Sequence, residues 1–207
     1  MEKPYAESCD QNRDPILAVI APLLADRRAV LEIGSGTGQH AAYFAARLPH
    51  LVWHASDRAE AHLGISIWLE EARLANTRGP LELDVQQAQW PAVEVDAVFS
   101  ANTAHIMSAE AVAAMFAGVG RLLPPGGKFL LYGPFRYHGR HTSDSNARFD
   151  EWLRRRDPLS GVRDFDDLDA LAEAAGLELQ HDYAMPVNNR ILYWRRRHTH
   201  TPAGEAP

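Results

Sequence analysis

The stretch Val30-Leu31-Glu32-Ile33-Gly34-Ser35-Gly36-Thr37-Gly38-Gln39-His40 holds the residues whose types and spacing most directly imply chemistry. An apolar run ends in an acid, and glycines at alternate positions lead into a helix expected over Gln39–Arg47. Such glycines let a backbone pass close to a ligand, because no Cβ intrudes and positive φ is open to them. The following helix turns free N–H groups into the same space. In an open α/β sheet this is where nucleotide-like cofactors bind. Asp57, 23 residues after Gly34, ends a second apolar run, where a carboxylate can accept hydrogen bonds from ribose hydroxyls. As the last residue of a strand or the N-cap of the next helix it serves either reading. Asp84, in Leu81-Glu82-Leu83-Asp84-Val85, is a candidate partner for an adenine amino group, or a turn former. Ser100–His105 leaves a fourth run at the same rim. There Asn102 can hydrogen-bond cofactor or substrate, and His105 is a candidate general base, with site lining or packing as its other readings.

Spacing separates the cofactors. A dinucleotide fingerprint needs Gly or Ala at its third position, and here Gln39 stands there. The pattern E-x-G-x-G-x-G resembles motif I of class I S-adenosylmethionine (SAM) dependent methyltransferases. SAM has no phosphate and carries a cationic sulfonium and an amino group, charges that an acid at Glu32 suits. The resemblance implies cofactor contacts from Glu32, Gly34, Ser35, Gly36, Gly38, Asp57, Arg58, Asp84, Val85 and Asn102, with S-adenosylhomocysteine (SAH) as product.

The elements that must position these residues alternate between helix and strand, which argues for a mostly parallel sheet. Helices are expected at Pro15–Ala25 with Asp14 as N-cap, Ala59–Leu74, Ala109–Leu123 and Phe165–Ala175. The third of these stops at Pro124-Pro125-Gly126-Gly127, and Gly176 caps the fourth. Strands are expected at Ala29–Ile33, Leu51–Asp57, Leu81–Val85, Asp96–Ser100 and Lys128–Gly133. A hairpin of Leu177–Met185 and Ile191–Arg195, turning at Val187-Asn188-Asn189, closes the chain. With the methyltransferase resemblance, this order implies a three-layer, doubly wound, Rossmann-like α/β fold: a mostly parallel seven-stranded sheet ending in an antiparallel hairpin.

A narrower resemblance rests on several segments together. These are Asp14-Pro15-Ile16-Leu17, Gly36-Thr37-Gly38-Gln39-His40-Ala41-Ala42, Asn102-Thr103-Ala104-His105, Tyr132-Gly133-Pro134, Ser145-Asn146 with Phe149-Asp150, Arg163-Asp164 and Pro186-Val187-Asn188-Asn189. In that order and spacing they resemble the small family that includes human methyltransferase-like protein 26, over roughly residues 9 to 195. The chain departs from it at Asp10-Gln11-Asn12, where the family typically reads Glu-Arg-Asn; Asn12 remains.

At 207 residues, one domain is expected, spanning 1–195, with 196–207 as a disordered tail. An insert at 136–164 follows the fifth strand, where specificity belongs, and reads as a lid candidate. Within it Tyr137 is a second acid/base candidate. Asn12, Arg140, Asn146, Arg163 and Asn188 are the substrate-binding candidates, the arginines suiting a carboxylate or phosphate. Arg154–Arg156, between Glu151 and Asp157, reads as a solvated helix face.

A net charge of −6 gives no footprint for nucleic acid, and a single Cys9 excludes an intrachain disulfide and a multi-cysteine metal cluster. The ten histidines form no zinc pattern, and no metal is expected. Without a signal peptide or a run of transmembrane length, a soluble cytoplasmic protein, monomer or homodimer, is expected. These readings converge on a SAM-dependent methyltransferase acting on oxygen, sulfur or nitrogen of a small molecule. The alternatives are a SAM-binding partner protein without catalysis, a protein or nucleic-acid methyltransferase, and an NAD-dependent oxidoreductase.

Overall fold

The computed structural model describes residues 3–198. Seven strands form one sheet: β1 (Ala29–Ile33), β2 (Val52–Asp57), β3 (Thr77–Glu82), β4 (Ala97–Ala101), β5 (Lys128–Gly133), β9 (Leu177–Ala184) and β10 (Arg190–Arg196). Their order is β3-β2-β1-β4-β5-β10-β9. All neighbours are parallel except β10, which is antiparallel to β5 and β9. This is the mostly parallel sheet with a closing hairpin that the sequence implied. The order reverses at β1, so the crevice beyond the ends of β1 and β4 is the switch point, where ligands bind in such sheets.

Both faces of the central strands are buried, which explains their near-continuous apolar sequence. Alternate residues feed two cores. Val30, Trp53, Phe99 and Leu130 pack against α1 (Glu7–Leu24), α2 (Gln39–Arg47) and α3 (His62–Ala72). Leu31, Val98, Phe129 and Trp194 face α4 (Ala109–Leu122) and α6 (Phe165–Ala174). A side chain such as Trp53 or Phe129, fully buried, contributes about 1.5–3 kcal/mol. Among the described residues, no helix is long and apolar enough to cross a membrane.

Several boundaries differ from expectation. Helix α1 begins at Glu7, eight residues before Pro15, and holds Pro15 and Pro22 inside it. Contacts distant in sequence support this early start: Ala6 N donates to Gln39 Oε1, and Asp14 accepts from the Tyr43 hydroxyl instead of capping a helix. A 3-10 turn, Ala59–Ala61, precedes α3, whose buried face is Ile65 and Leu69 while Leu63 is exposed. Strand β3 lies earlier than expected, so Asp84 falls in the loop beyond it. Arg196 ends β10, paired with Leu177, so the ordered chain runs past the expected start of the tail; the rest of that expectation, 199–207, lies outside the described residues.

The insert is built structure. A small sheet of β6 (Phe135–Tyr137), β7 (Arg140–His141) and β8 (Arg163–Asp164) carries α5 (Asp144–Arg156). Ser143 caps α5 by accepting from Asn146 N, and Asp150 Oδ1 accepts from Val162 N at 2.7 Å, joining the helix to the returning chain. Gly161 N donates to His105 O at 2.8 Å, which seats this unit on the loop after β4.

Candidate active site

The glycine turn is held from below. Glu32, buried, accepts from Ser35 Oγ at 2.9 Å and from Trp53 Nε1 at 3.1 Å. Burial pushes its carboxyl up to about 7, with the nearby charge of Asp57 adding to the rise and the two hydrogen bonds opposing it. Gly34, Gly36 and Gly38 all have positive φ, and each is required for a different reason. A Cβ on Gly34 would stand 2.3 Å from Thr103 Cγ2, and one on Gly38 2.9 Å from the Ile65 backbone. On Gly36 it would meet nothing within 4 Å, pointing into open space.

Four of the five amides from Gly34 to Gly38, and that of Gln39, are already engaged. Gly34 N and Ser35 N donate to Ser56 O, Gly36 N to Asp57 Oδ2, Gly38 N to Ser35 O, and Gln39 N to Thr37 Oγ1. A pyrophosphate needs such groups free.

A cavity of about 600 Å³ opens over the turn. Its lining includes Gly34, Ser35, Gly36, Asp57, Arg58, Asp84, Val85 and Asn102, eight of the ten residues expected to hold the cofactor. Asp57 spends one lone pair on each oxygen, accepting from Gly36 N and Arg58 N at 2.8 Å, and keeps the others for a ligand. Asp84 Oδ1 accepts from Gln86 N, and Oδ2 has no partner among the described residues. Leu83 and Val85 supply apolar surface beside it. Glu32 and Gly38 do not line the cavity. Glu32 lies beneath the turn on the α1 side of the sheet, and Gly38 serves the close approach of α2 to α3.

A second cavity, about 850 Å³, adjoins the first; Asn102, Ile106 and the N-terminal residue Ser8 line both. Asn102 has φ +59, a left-handed conformation that asparagine tolerates best among residues with a side chain. Its N–H is tied to Tyr132 O at 2.9 Å, and its side chain has no partner among the described residues. His105, 7% exposed, lines the second cavity edge-on to Phe149, with no side-chain hydrogen bond among the described residues. Burial pulls its imidazole down to about 4, with the Arg163 charge adding to the shift. It is neutral at pH 7.

Asn12 and Asn146 also line this cavity, and four other candidates are elsewhere. The Tyr137 hydroxyl donates to Asp182 Oδ2 at 2.7 Å while its ring stacks on Phe165; burial and Asp182 push its pKa up, so it fastens β6 to the hairpin and holds its proton. Arg163 donates to the carbonyls of Ala104, Met107 and Leu159, latching the insert to the loop after β4. Arg140 is exposed on β7. Asn188 is exposed and offers its carbonyl to Asn146 Nδ2; its neighbour Asn189 lines the cavity instead.

Sequence reasoning missed Tyr132, Asn189 and the aromatic pair Phe149 and Trp152. Tyr132 was findable, since the strand-end rule applied to β4 applies equally to β5. Asn189 was one residue away in a turn whose two left-handed residues, Val187 and Asn188, set which asparagine faces inward. Phe149 and Trp152 share a face of α5, but their direction depends on how the insert docks.

The sheet order and its closing antiparallel hairpin define a class I methyltransferase fold. Solved structures agree. An O-methyltransferase family protein from Burkholderia thailandensis superposes with TM-score 0.80 at 17% identity, over 90% of this chain and 56% of that one. The SAM-dependent methyltransferase SibL in its apo form gives 0.78 at 22%, covering 92% and 56%. Human N-acetylserotonin methyltransferase, in complex with SAM, gives 0.76 at 16%, covering 93% and 53%. The chain spans about half the length of these structures. It belongs to the family described as "Protein of unknown function (DUF938)", which matches residues 3–196.

Proposed function

We propose that the protein is a SAM-dependent methyltransferase acting on a small molecule. The observation that carries this reading is the pair of adjoining cavities meeting at Asn102, one over the glycine turn and its two acids, the other around His105. The residues of the first fit an adenosyl ligand: two carboxylates keep lone pairs for ribose hydroxyls and an adenine amino group, and Gly36 leaves space above the turn. The engaged amides disfavour a dinucleotide. The names of neighbours described as O-methyltransferases support oxygen as the methylated atom, ahead of sulfur or nitrogen.

When bound, SAM supplies an electrophilic methyl group on a positively charged sulfur. This chain's residues align and desolvate the two reactants. Asp57 and Asp84 fix the nucleoside, Asn102 spans the junction, and His105 accepts a hydrogen bond from the nucleophile. An imidazole near 4 is a weak base. It suffices because an alcohol oxygen becomes strongly acidic once it bonds the methyl carbon, so the proton moves late in the step. Residues 3–196 act as one domain in this reading, and the insert supplies the far wall of the acceptor cavity. Membership of the family that includes human methyltransferase-like protein 26, a cytoplasmic location and a monomeric or homodimeric state without nucleic acid go with the same proposal.

The test is label transfer from tritiated SAM to a panel of hydroxyl, thiol and amine acceptors, with His105→Ala alongside. Transfer reduced about 10²-fold or more in the variant supports the reading. Cofactor binding without transfer to any acceptor would favour the non-catalytic partner.

A further inference from the structure

Four asparagines from four separate elements line the larger cavity: Asn12 from α1, Asn102 from the loop after β4, Asn146 from α5 and Asn189 from the turn before β10. Every residue of that lining with a formal charge at neutral pH, namely Arg58, Arg156 and Asp157, is exposed, and Arg58 and Asp157 also line the first cavity. Further in, the polar groups are the amides, the neutral His105 and the Tyr132 hydroxyl, with Ser160 buried among its own loop carbonyls.

The amides offer both donors and acceptors: Asn12 Oδ1 is bonded to His40 Nε2 at 2.7 Å, so its Nδ2 faces a ligand, and the Asn102 amide has neither group paired among the described residues, while Asn146 and Asn189 keep their oxygens. Asn146 Nδ2 donates to Thr142 Oγ1 at 3.0 Å and to the Asn188 carbonyl at 3.2 Å, which fixes the amide and leaves Oδ1 without a partner among the described residues. Asn189 Nδ2 donates to the Tyr132 hydroxyl at 2.9 Å, again leaving Oδ1. Neutral amides supply hydrogen bonds but no opposite charge, and a buried charge without an opposite partner costs far more than a neutral group. Phe149, Pro134 and Leu153 make the walls apolar. The rim is apolar too: Ile106, Trp152 and Val187 are 59%, 48% and 80% exposed and all line this cavity. Val187 is held at φ +59, a conformation costly for a β-branched residue, and such strain gathers at functional sites. At about 850 Å³ the space suits a drug-sized molecule.

We infer that the acceptor is an uncharged amphiphile, whose neutral N–H- or O–H-bearing head sits among the Asn102, Asn146 and Asn189 amides and whose apolar body runs out past Phe149 to the Ile106–Val187 rim. This rests on the methyl-transfer reading. In the step, the sulfur–methyl bond breaks with its electron pair left on sulfur, the acceptor oxygen bonds the methyl carbon, and its proton passes through His105 to water. Acceptors carrying a carboxylate or phosphate, which the sequence arginines suggested, are disfavoured in the chamber.

The test uses matched aromatic alcohols of one skeleton, such as 6-hydroxy-2-naphthamide against 6-hydroxy-2-naphthoate, with several further carboxamide–carboxylate pairs. Binding is read by tryptophan fluorescence on SAH-loaded protein and turnover by tritium transfer. SAH titration of each preparation separates the two ideas, because loss of SAH binding sinks the methyltransferase reading itself. Carboxamides used at least about tenfold better than their carboxylates are expected. Asn189→Asp, which puts a negative charge among the amides, should lower carboxamide kcat/KM about tenfold with SAH affinity unchanged. Equal or better use of the carboxylates, or no neutral member bound by protein that binds SAH, overturns the inference.

Discussion

Glu32 offers the sharpest test of how the glycine turn is supported. Its carboxyl stands at about 7 in the folded chain against 4.5 ordinarily, because burial removes the carboxylate from water. Between those values the folded chain keeps a proton that the unfolded chain has released. The favourable contribution is therefore complete below pH 4.5 and is lost as pH rises through 7. The difference between 4.5 and about 7 makes this about 3 kcal/mol. Glu32→Gln keeps an oxygen for Ser35 and Trp53 and cannot ionise. Urea unfolding of both proteins at pH 5 and pH 8 isolates Glu32, because every other titrating group is common to the two. His40 and His105, each lowered to about 4 by burial, push stability the opposite way between pH 4 and 6.5 and cancel in the difference. The variant should gain on the wild type by most of that ~3 kcal/mol between pH 5 and 8. Parallel profiles would show that Glu32 is already ionised in the fold and refute the reasoning.

The glycines should separate by what a Cβ meets. Gly34→Ala, against Thr103, should cost about 2–4 kcal/mol of unfolding free energy. Gly36→Ala should cost about 1 kcal/mol yet weaken SAH binding, as read by calorimetry, because its methyl stands in open cavity. For His105, kcat/KM with a neutral acceptor should be flat from pH 6 to 8; a limb near 6.5 would mean that the imidazole is not desolvated. Val187→Asn should raise the urea midpoint by a stabilisation of about 1 kcal/mol, since asparagine accepts the left-handed conformation that valine resists.

What was legible in the sequence was what local chemistry determines. β1, β4 and β5 stood out because both their faces are buried, and the glycine turn with Asp57 and Asp84 because strand ends in such sheets meet at one crevice. The rest depended on contacts distant in sequence. Pro15 and Asp14 gave a strong helix-start signal that was outweighed by Gln39 capping Ala6 and by the packing of Ile16, Ile20 and Leu24. Leu63 and Ile67 fit a helical period, but the phase that packs is Ile65 and Leu69. Arg163 and Tyr137 have functional side chains used for construction, one satisfying three carbonyls and the other bonded to Asp182. Residue type cannot distinguish those uses. The second cavity is built where four distant elements converge, so no single stretch of sequence carries its lining.

In the proposed function the turn, Asp57 and Asp84 hold an adenosyl ligand. Calorimetric titration with SAM, SAH and NAD, repeated on Asp57→Ala and Asp84→Ala, tests it directly. Micromolar binding of SAM and SAH, weakened at least about tenfold in both variants, with none for NAD, is the predicted result. Binding of NAD in place of the adenosyl ligands, or of none of the three by folded protein, would contradict it.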